Sequence, residues 1–245
     1  MRSLMLLLLL IATSVFGQTP TVSRQQWKSV NACAERESGT PCLYHRTGGM
    51  PSLLLGLVAY YKMDGSSVDS LGAFSGVDTN MSYDTAHGII NQGANFIGGR
   101  IAIASAVLGA KFSIASWIKP SALAAYKALA VQSTLNGLFV DNLNHLNYYL
   151  SGDHAGASVI NTSGAVWTFV AVTYDGVTVK LFVNGVQDGS FVLATSITVT
   201  QLGNDTANEN FIGGMDEVPL YSRDLTQAEI TFLFNNGKAV QYPFN

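Results

Sequence analysis

Charge is scarce in this chain. Asp, Glu, Lys and Arg together make up 12% of the 245 residues, and the formal net charge is only -3. So little positive charge excludes a main task along a phosphate backbone or an anionic lipid surface. Four histidines and two cysteines are too few and too scattered for a zinc cluster. No Gly-x-Ser-x-Gly string is present, and none of His45, His87, His145 or His154 has a nucleophile neighbour. Glutamate is confined to Glu35, Glu37, Glu209, Glu217 and Glu229. What is abundant is apolar: 48% of residues, enough to bury a core and to exclude a disordered chain.

The start of the chain differs from the rest. Met1-Arg2 supplies a positive charge, Leu4 to Ala12 is apolar, and Val15-Phe16-Gly17 sets small residues at a cleavage point. That is the pattern of a secretory signal over residues 1–17, with Gln18 first in the mature protein. The run is shorter than the roughly 20 residues a membrane span requires, and no later stretch is long and apolar enough to cross. The protein is therefore expected to be secreted. Export makes Cys33 and Cys42 the expected disulfide, the only pair available within one chain. Residues 18–52 are polar and without period, and read as an irregular leader or linker.

From residue 53 to 245 the pattern is of strands. Leu57 to Met63 forms a first strand, broken by Asp64-Gly65-Ser66-Ser67. Asn95–Ala104, Lys111–Lys119, Trp167–Tyr174 and Thr178–Val183 alternate or run apolar. Asn184-Gly185 after Lys180-Leu-Phe-Val183 is the signature of a two-residue hairpin, because a type I′ turn needs positive φ at both positions. Asp175-Gly176 predicts a second such turn, giving a three-strand meander. Thr226-Gln-Ala-Glu229 is a capping box, followed by Ile230, Leu233 and Phe234 at helical spacing and stopped by Gly237. The expected fold is all-β: a two-sheet antiparallel jelly-roll sandwich with one short C-terminal helix.

These residues resemble a known family. Leu57-Val-Ala-Tyr-Tyr-Lys-Met-Asp64 with Asp69-Ser-Leu-Gly72 is similar to the opening of laminin-G-like jelly rolls of the concanavalin A-like lectin and glucanase type. Phe112-Ser-Ile-Ala-Ser-Trp-Ile-Lys-Pro120, Val166 to Gly176, and Val179-Lys-Leu-Phe-Val-Asn-Gly185 resemble its inner strands. The closest stretch is Phe211 to Ile230, with Gly214-Met-Asp-Glu-Val218 at its centre. Pro219 departs from the family pattern and is expected on the open face of an edge strand. The middle, Ser133 to Gly164, matches loosely.

The resemblance implies one structural Ca²⁺ between the loop after the first strand and the Asp216 strand. Asp69 and Asp216 would hold it, with Asp64 as a further ligand and carbonyls near Ser66 and Gly72 completing a shell of hard oxygens. The alternative is that Asp64 and Asp69 form turns and backbone amides satisfy Asp216. Related folds include glycoside hydrolases, which need two carboxylates flanking one bond. Their ExDxxE string is absent, and adjacent Asp216 and Glu217 point to opposite faces of a strand. Tyr148, Tyr149 and His154, close to Asn144 and Asn147, are candidates for sugar contact through aromatic faces and amides; a solvated loop with two strand tyrosines is the alternative. Trp117 and Trp167 fit the core. Asn80-Met-Ser82, Asn161-Thr-Ser163 and Asn204-Asp-Thr206 are N-glycosylation sequons. Together these features predict a secreted, non-enzymatic module. It would recognise carbohydrate on a polymer or cell surface, or alternatively dock another extracellular protein as a structural or adhesive part; a glycoside hydrolase ranks third.

Overall fold

Alternating apolar residues bounded by turns fold here into fourteen antiparallel strands, as seen in a computed structural model that describes residues 50–121, 125–133, 136–205, 207 and 209–244. The expected signal segment, most of the expected leader and the Cys33–Cys42 pairing lie outside the described residues. In chain order the strands are β1 (Leu57–Tyr61), β2 (Val77–Asp84), β3 (Gly93–Gly109), β4 (Phe112–Pro120), β5 (Lys127–Ser133), β6 (Asn136–Val140) and β7 (His145–Leu150). They continue as β8 (Ala155–Val159), β9 (Thr168–Tyr174), β10 (Thr178–Val183), β11 (Val186–Val192), β12 (Ile197–Leu202), β13 (Ile212–Asp216) and β14 (Val218–Tyr221). One α-helix follows, α1 (Gln227–Phe234). Among the described residues no helix is long and apolar enough to cross a membrane.

The fold is the expected all-β jelly roll, but its two layers are joined. Pairing runs β11-β10-β9-β4-β13-β3-β12-β5-β6-β7-β8, with β14 beside β4, β1 beside β14 and β2 beside β3. The strand that passes from one layer to the other is β3. Its first part pairs with β13 at Ala94–Ile97, and its second part pairs with β12 at Ile101–Gly109. Register shifts on the β12 side and a positive φ at Ser105 bend it, the usual way a strand turns a corner between sheets.

Between the layers lies the main core, with Phe96, Phe112, Ile114, Val172, Leu181 and Met215 among its members. A second cluster covers the outside of β4, β9 and β10. There Trp117, Phe169 and Phe182 pack against Ile230 and Leu233 of α1, against Phe244, and against Leu53 of a 3₁₀ turn at Pro51–Leu54. The compact unit that holds both clusters spans residues 50–245. Trp117 is buried in this cluster; Trp167 is only partly buried there.

Local chemistry matches prediction where it is self-contained. Asn184 and Gly185 both have positive φ, 49° and 79°, as the type I′ turn requires. At α1, Thr226 accepts from the Glu229 amide while the Glu229 carboxylate accepts from the Thr226 amide, the reciprocal box. The helix ends at Asn235, which takes the left-handed conformation two residues before Gly237. The Asp175-Gly176 turn differs from expectation. Only Gly176 has positive φ, and the Asp175 carboxylate accepts the Val177 and Thr178 amides, so the loop is wider than a type I′ turn. Pro219 also differs: it is buried in β14, paired opposite Tyr60, on a strand that has β1 on one side and β4 on the other.

Candidate functional site

Asp69 follows β1 and folds its own loop. Oδ1 accepts the amides of Tyr60 at 2.9 Å and Leu71 at 3.0 Å, and Oδ2 accepts those of Ala73 and Phe74, each at 3.0 Å. Four amides occupy both oxygens of a side chain only 2% exposed. Asp216 is fully buried at the end of β13. Its Oδ2 accepts the Ile89 and Ile90 amides at 2.9 and 3.1 Å, and its Oδ1 accepts the Glu217 amide at 3.0 Å. Asp64, exposed in the same loop as Asp69, accepts the Gln92 amide and the side-chain amides of Asn91 and Gln241.

A calcium ion held jointly by Asp69 and Asp216 does not fit this arrangement. Ca²⁺ needs six to eight converging oxygens, whereas these carboxylates face amide N–H groups and share no partner. Among the described residues no three His, Cys, Asp or Glu side chains form a metal-holding group. In this arrangement Asp69 shapes a loop, and Asp216 is satisfied by backbone amides.

What the structure does gather is Asp64, Asp216 and Glu217. Glu217 has φ 51° and breaks the strand between β13 and β14, so simple alternation does not set where its side chain goes. Its carboxylate accepts the Tyr60 hydroxyl and, at 2.7 Å, the Gln241 side-chain amide. That same Gln241 nitrogen donates to Asp64 at 2.9 Å, tying the two carboxylates together. Burial, and then the charge of Asp216, push Glu217 up to about 9. Burial pushes Asp216 up to about 8 in spite of its three amides.

Beside this cluster opens a cleft of about 350 Å³, lined by Lys62, Asp64, Ser66, Val68, Ser70, Tyr242 and Pro243. The end of β1 and its following loop make one wall, and the segment after α1 makes the other. Tyr242 is fixed there: its ring centroid lies 5.6 Å from Tyr60 and 5.8 Å, edge-on, from Phe244. Three donors orient the Asp64 carboxylate. The cleft thus offers a held aromatic ring, one ammonium, one carboxylate and two hydroxyls.

The sugar-contact group read from the sequence does not assemble. Tyr148 points into the core, its hydroxyl donating to Asn136 at 2.8 Å and lying 2.9 Å from Thr195, and burial raises it to about 12. Asn144 closes a turn with φ 70°, its amide bonded to the Asp141 carbonyl and its carbonyl to the Ile160 amide. His154 lies edge-on to Phe191 at 5.5 Å with Nδ1 buried and unbonded. Tyr149 alone stands on the outer face, with Tyr126 and Phe139. Period-two alternation in β7 separates the pair: Leu146 and Tyr148 are core residues, while Tyr149 faces away. Lys62 and Tyr242 of the cleft carry no pattern that distinguishes them in the sequence.

The curled antiparallel sheet, with one late α-helix among the described residues, is a lectin-type β-sandwich. Residues 94–231, more than half of the chain, match the model of the concanavalin A-like lectin/glucanases superfamily of laminin-G type, and the chain belongs to that superfamily. No curated protein sequence matches it. Among solved structures it is similar to domain 4 of an extracellular arabinanase from Geobacillus stearothermophilus, in complex with arabinotriose. The TM-score is 0.60 at 23% identity, covering 71% of this chain and 96% of that one. The binding domain of paraclostridial mosquitocidal protein 1 gives 0.59 at 17% identity, covering 76% and 53%. Trypanosoma rangeli sialidase gives 0.61 at 15% identity, covering 89% of this chain but only 38% of the sialidase.

Proposed function

We propose that this chain is a secreted, non-catalytic module that binds carbohydrate on a polymer or cell surface, and that the cleft beside β1 holds the sugar. The observation that carries this reading is the fixed Tyr242 ring set beside Lys62, Asp64, Ser66 and Ser70. Such a ring stacks on sugar C–H groups while the polar set bonds hydroxyls. The arabinotriose complex of the similar arabinanase domain supports it, as does the binding role in the name of the mosquitocidal protein's domain. The signal pattern over residues 1–17 supports export.

Geometry also favours binding over hydrolysis. Glu217 and Asp64 are bridged by one amide nitrogen, which invites comparison with the two carboxylates of a glycosidase. Glu217, however, is 3% exposed, is bonded to Tyr60 and does not line the cleft. An acid that meets no substrate oxygen transfers no proton to it.

The test is retention of the secreted protein on immobilised arabinan, xylan, mannan, chitin and heparan sulfate. Retention on at least one is expected, weakened tenfold or more by Tyr242→Ala, with no release of reducing sugar. Retention that Tyr242→Ala leaves unchanged would remove the cleft from the account, and sustained release of reducing sugar would overturn the non-catalytic reading.

A further inference from the structure

The outer face of β5, β6 and β7 holds a second group of aromatic and polar side chains, none of which lines the cleft. Tyr149 is fixed by two edge-to-face contacts, with Phe139 at 6.1 Å and 69° and with Tyr126 at 6.1 Å and 81°. Both tyrosines are only partly buried, so part of each ring is open to a partner. Ring edges meeting ring faces is the favoured aromatic geometry, which means the platform exists before any ligand arrives.

Polar groups surround this platform in fixed positions. The exposed Asp153 carboxylate accepts the Tyr126 hydroxyl at 2.6 Å, and its other oxygen accepts the side-chain amide of fully buried Asn147. That bond pushes Tyr126 up to about 12, so its hydroxyl stays a donor. On the neighbouring edge the Glu209 carbonyl accepts the Ala128 amide at 2.9 Å, which sets Glu209 beside Lys127. The Glu209 carboxyl also meets that of Asp205. Asp205 is 2% exposed, and its Oδ1 accepts the Ala207 and Glu209 amides at 2.9 and 3.0 Å.

We propose that this face is a second saccharide site, taking a neutral glycan across Tyr126 and Tyr149 with Asp153 and Glu209 bonding its hydroxyls. The Asp153 carboxylate at the rim disfavours an acidic sugar by like-charge repulsion; Glu209, pushed up to about 7 by burial and then by the charge of Asp205, adds only part of a charge. The proposal rests on the carbohydrate reading above and adds valency to it. No residue lines both sites. A chain with many repeats, or two neighbouring chains, can engage both at once. Linked engagement raises apparent affinity by ~10²–10⁴ over either site alone.

Titration calorimetry and polymer retention of the full secreted chain separate the two claims. The probes are the five polysaccharides named above, each with its own soluble trisaccharide. Two trisaccharides per chain are expected for the wild type, and one for each of Tyr149→Ala and Tyr242→Ala. Each variant should lose at least tenfold in apparent affinity for the polymer. Asp153→Asn, which leaves the rings in place, should behave as Tyr149→Ala does and guards against a folding defect. One trisaccharide per wild-type chain, with Tyr149→Ala and Asp153→Asn holding polymer as the wild type does, would overturn the second site and leave the cleft standing. A wild type retained by none of the five polymers would overturn both.

Discussion

Glu217 shows how much a single backbone angle can decide. Its left-handed φ turns the side chain into a pocket with Tyr60 and Gln241, where burial holds it near 9 and its neighbour Asp216 near 8. In the unfolded chain both sit near 4. The folded state therefore keeps protons that the unfolded state has released. Their stabilisation is complete below about pH 4 and is lost as pH rises through 8 and 9. Melting temperature should fall between pH 5 and pH 9, and Glu217→Gln should flatten much of that slope; parallel profiles would refute the assignment. Because Asp69 and Asp216 face amides, EDTA should leave the melting temperature within about a degree. A drop of several degrees, restored by Ca²⁺ and not by Mg²⁺, would mean that these carboxylates open to take an ion. The sequons divide by burial. Made in a eukaryotic secretory host, exposed Asn80 and Asn161 should carry glycan while Asn204, 5% exposed, should not; peptide mapping decides. At this scale the sequence marks Asp69 and Asp216 as unusual but not what satisfies them. The donors are backbone amides, which every residue but proline carries, so they leave no side-chain trace.

Elements were legible where their chemistry is short-range. The Asn184-Gly185 turn and the Thr226–Glu229 box each need only a few adjacent residues, and each forms as read. A Cβ at Gly185 would meet the Phe234 ring at 2.9 Å in addition to the strain of φ 79°. Gly185→Ala should therefore destabilise by ~1–3 kcal/mol, since a left-handed non-glycine residue alone costs roughly 1–2. Arg223 extends the box: it bonds both oxygens of Glu229, at 2.7 and 2.9 Å, and the carbonyls of Ser52 and Leu55. Burial pushes Glu229 up, but the bonds from Arg223 and Thr226 outweigh it and bring the carboxyl down to about 2. Removing one partner of a buried pair strands the other, so Arg223→Ala should lose ~2–4 kcal/mol by denaturant unfolding at pH 7. That loss should shrink as pH falls from about 4.5 toward 2 and Glu229 takes a proton. Where an element depends on distant partners, the pattern misleads. Pro219 looks like an edge residue until β1 and β4 are seen on either side of its strand.

At the scale of the molecule, the class of fold was readable from turn spacing and the late helix, but the joining of the two layers through β3 was not. Nothing local in Gly93–Gly109 says that its halves pair with different partners. The cleft was illegible for the same reason, since Tyr60 and Val240, bonded beside it, lie 180 positions apart. That separation has a consequence for how the protein is made. The strand β1 leaves the ribosome early, yet its pairing partner β14 and its contact Glu217 arrive 157 positions later. At 5–20 residues per second this is a wait of roughly 8–30 s. Through that interval Leu-Val-Ala-Tyr-Tyr is an unpaired apolar strand, a target for holdase chaperones and proteases. Nascent chains arrested before Val218 emerges should be cut within Leu57–Tyr61 by added chymotrypsin, and chains arrested after Tyr221 emerges should resist it.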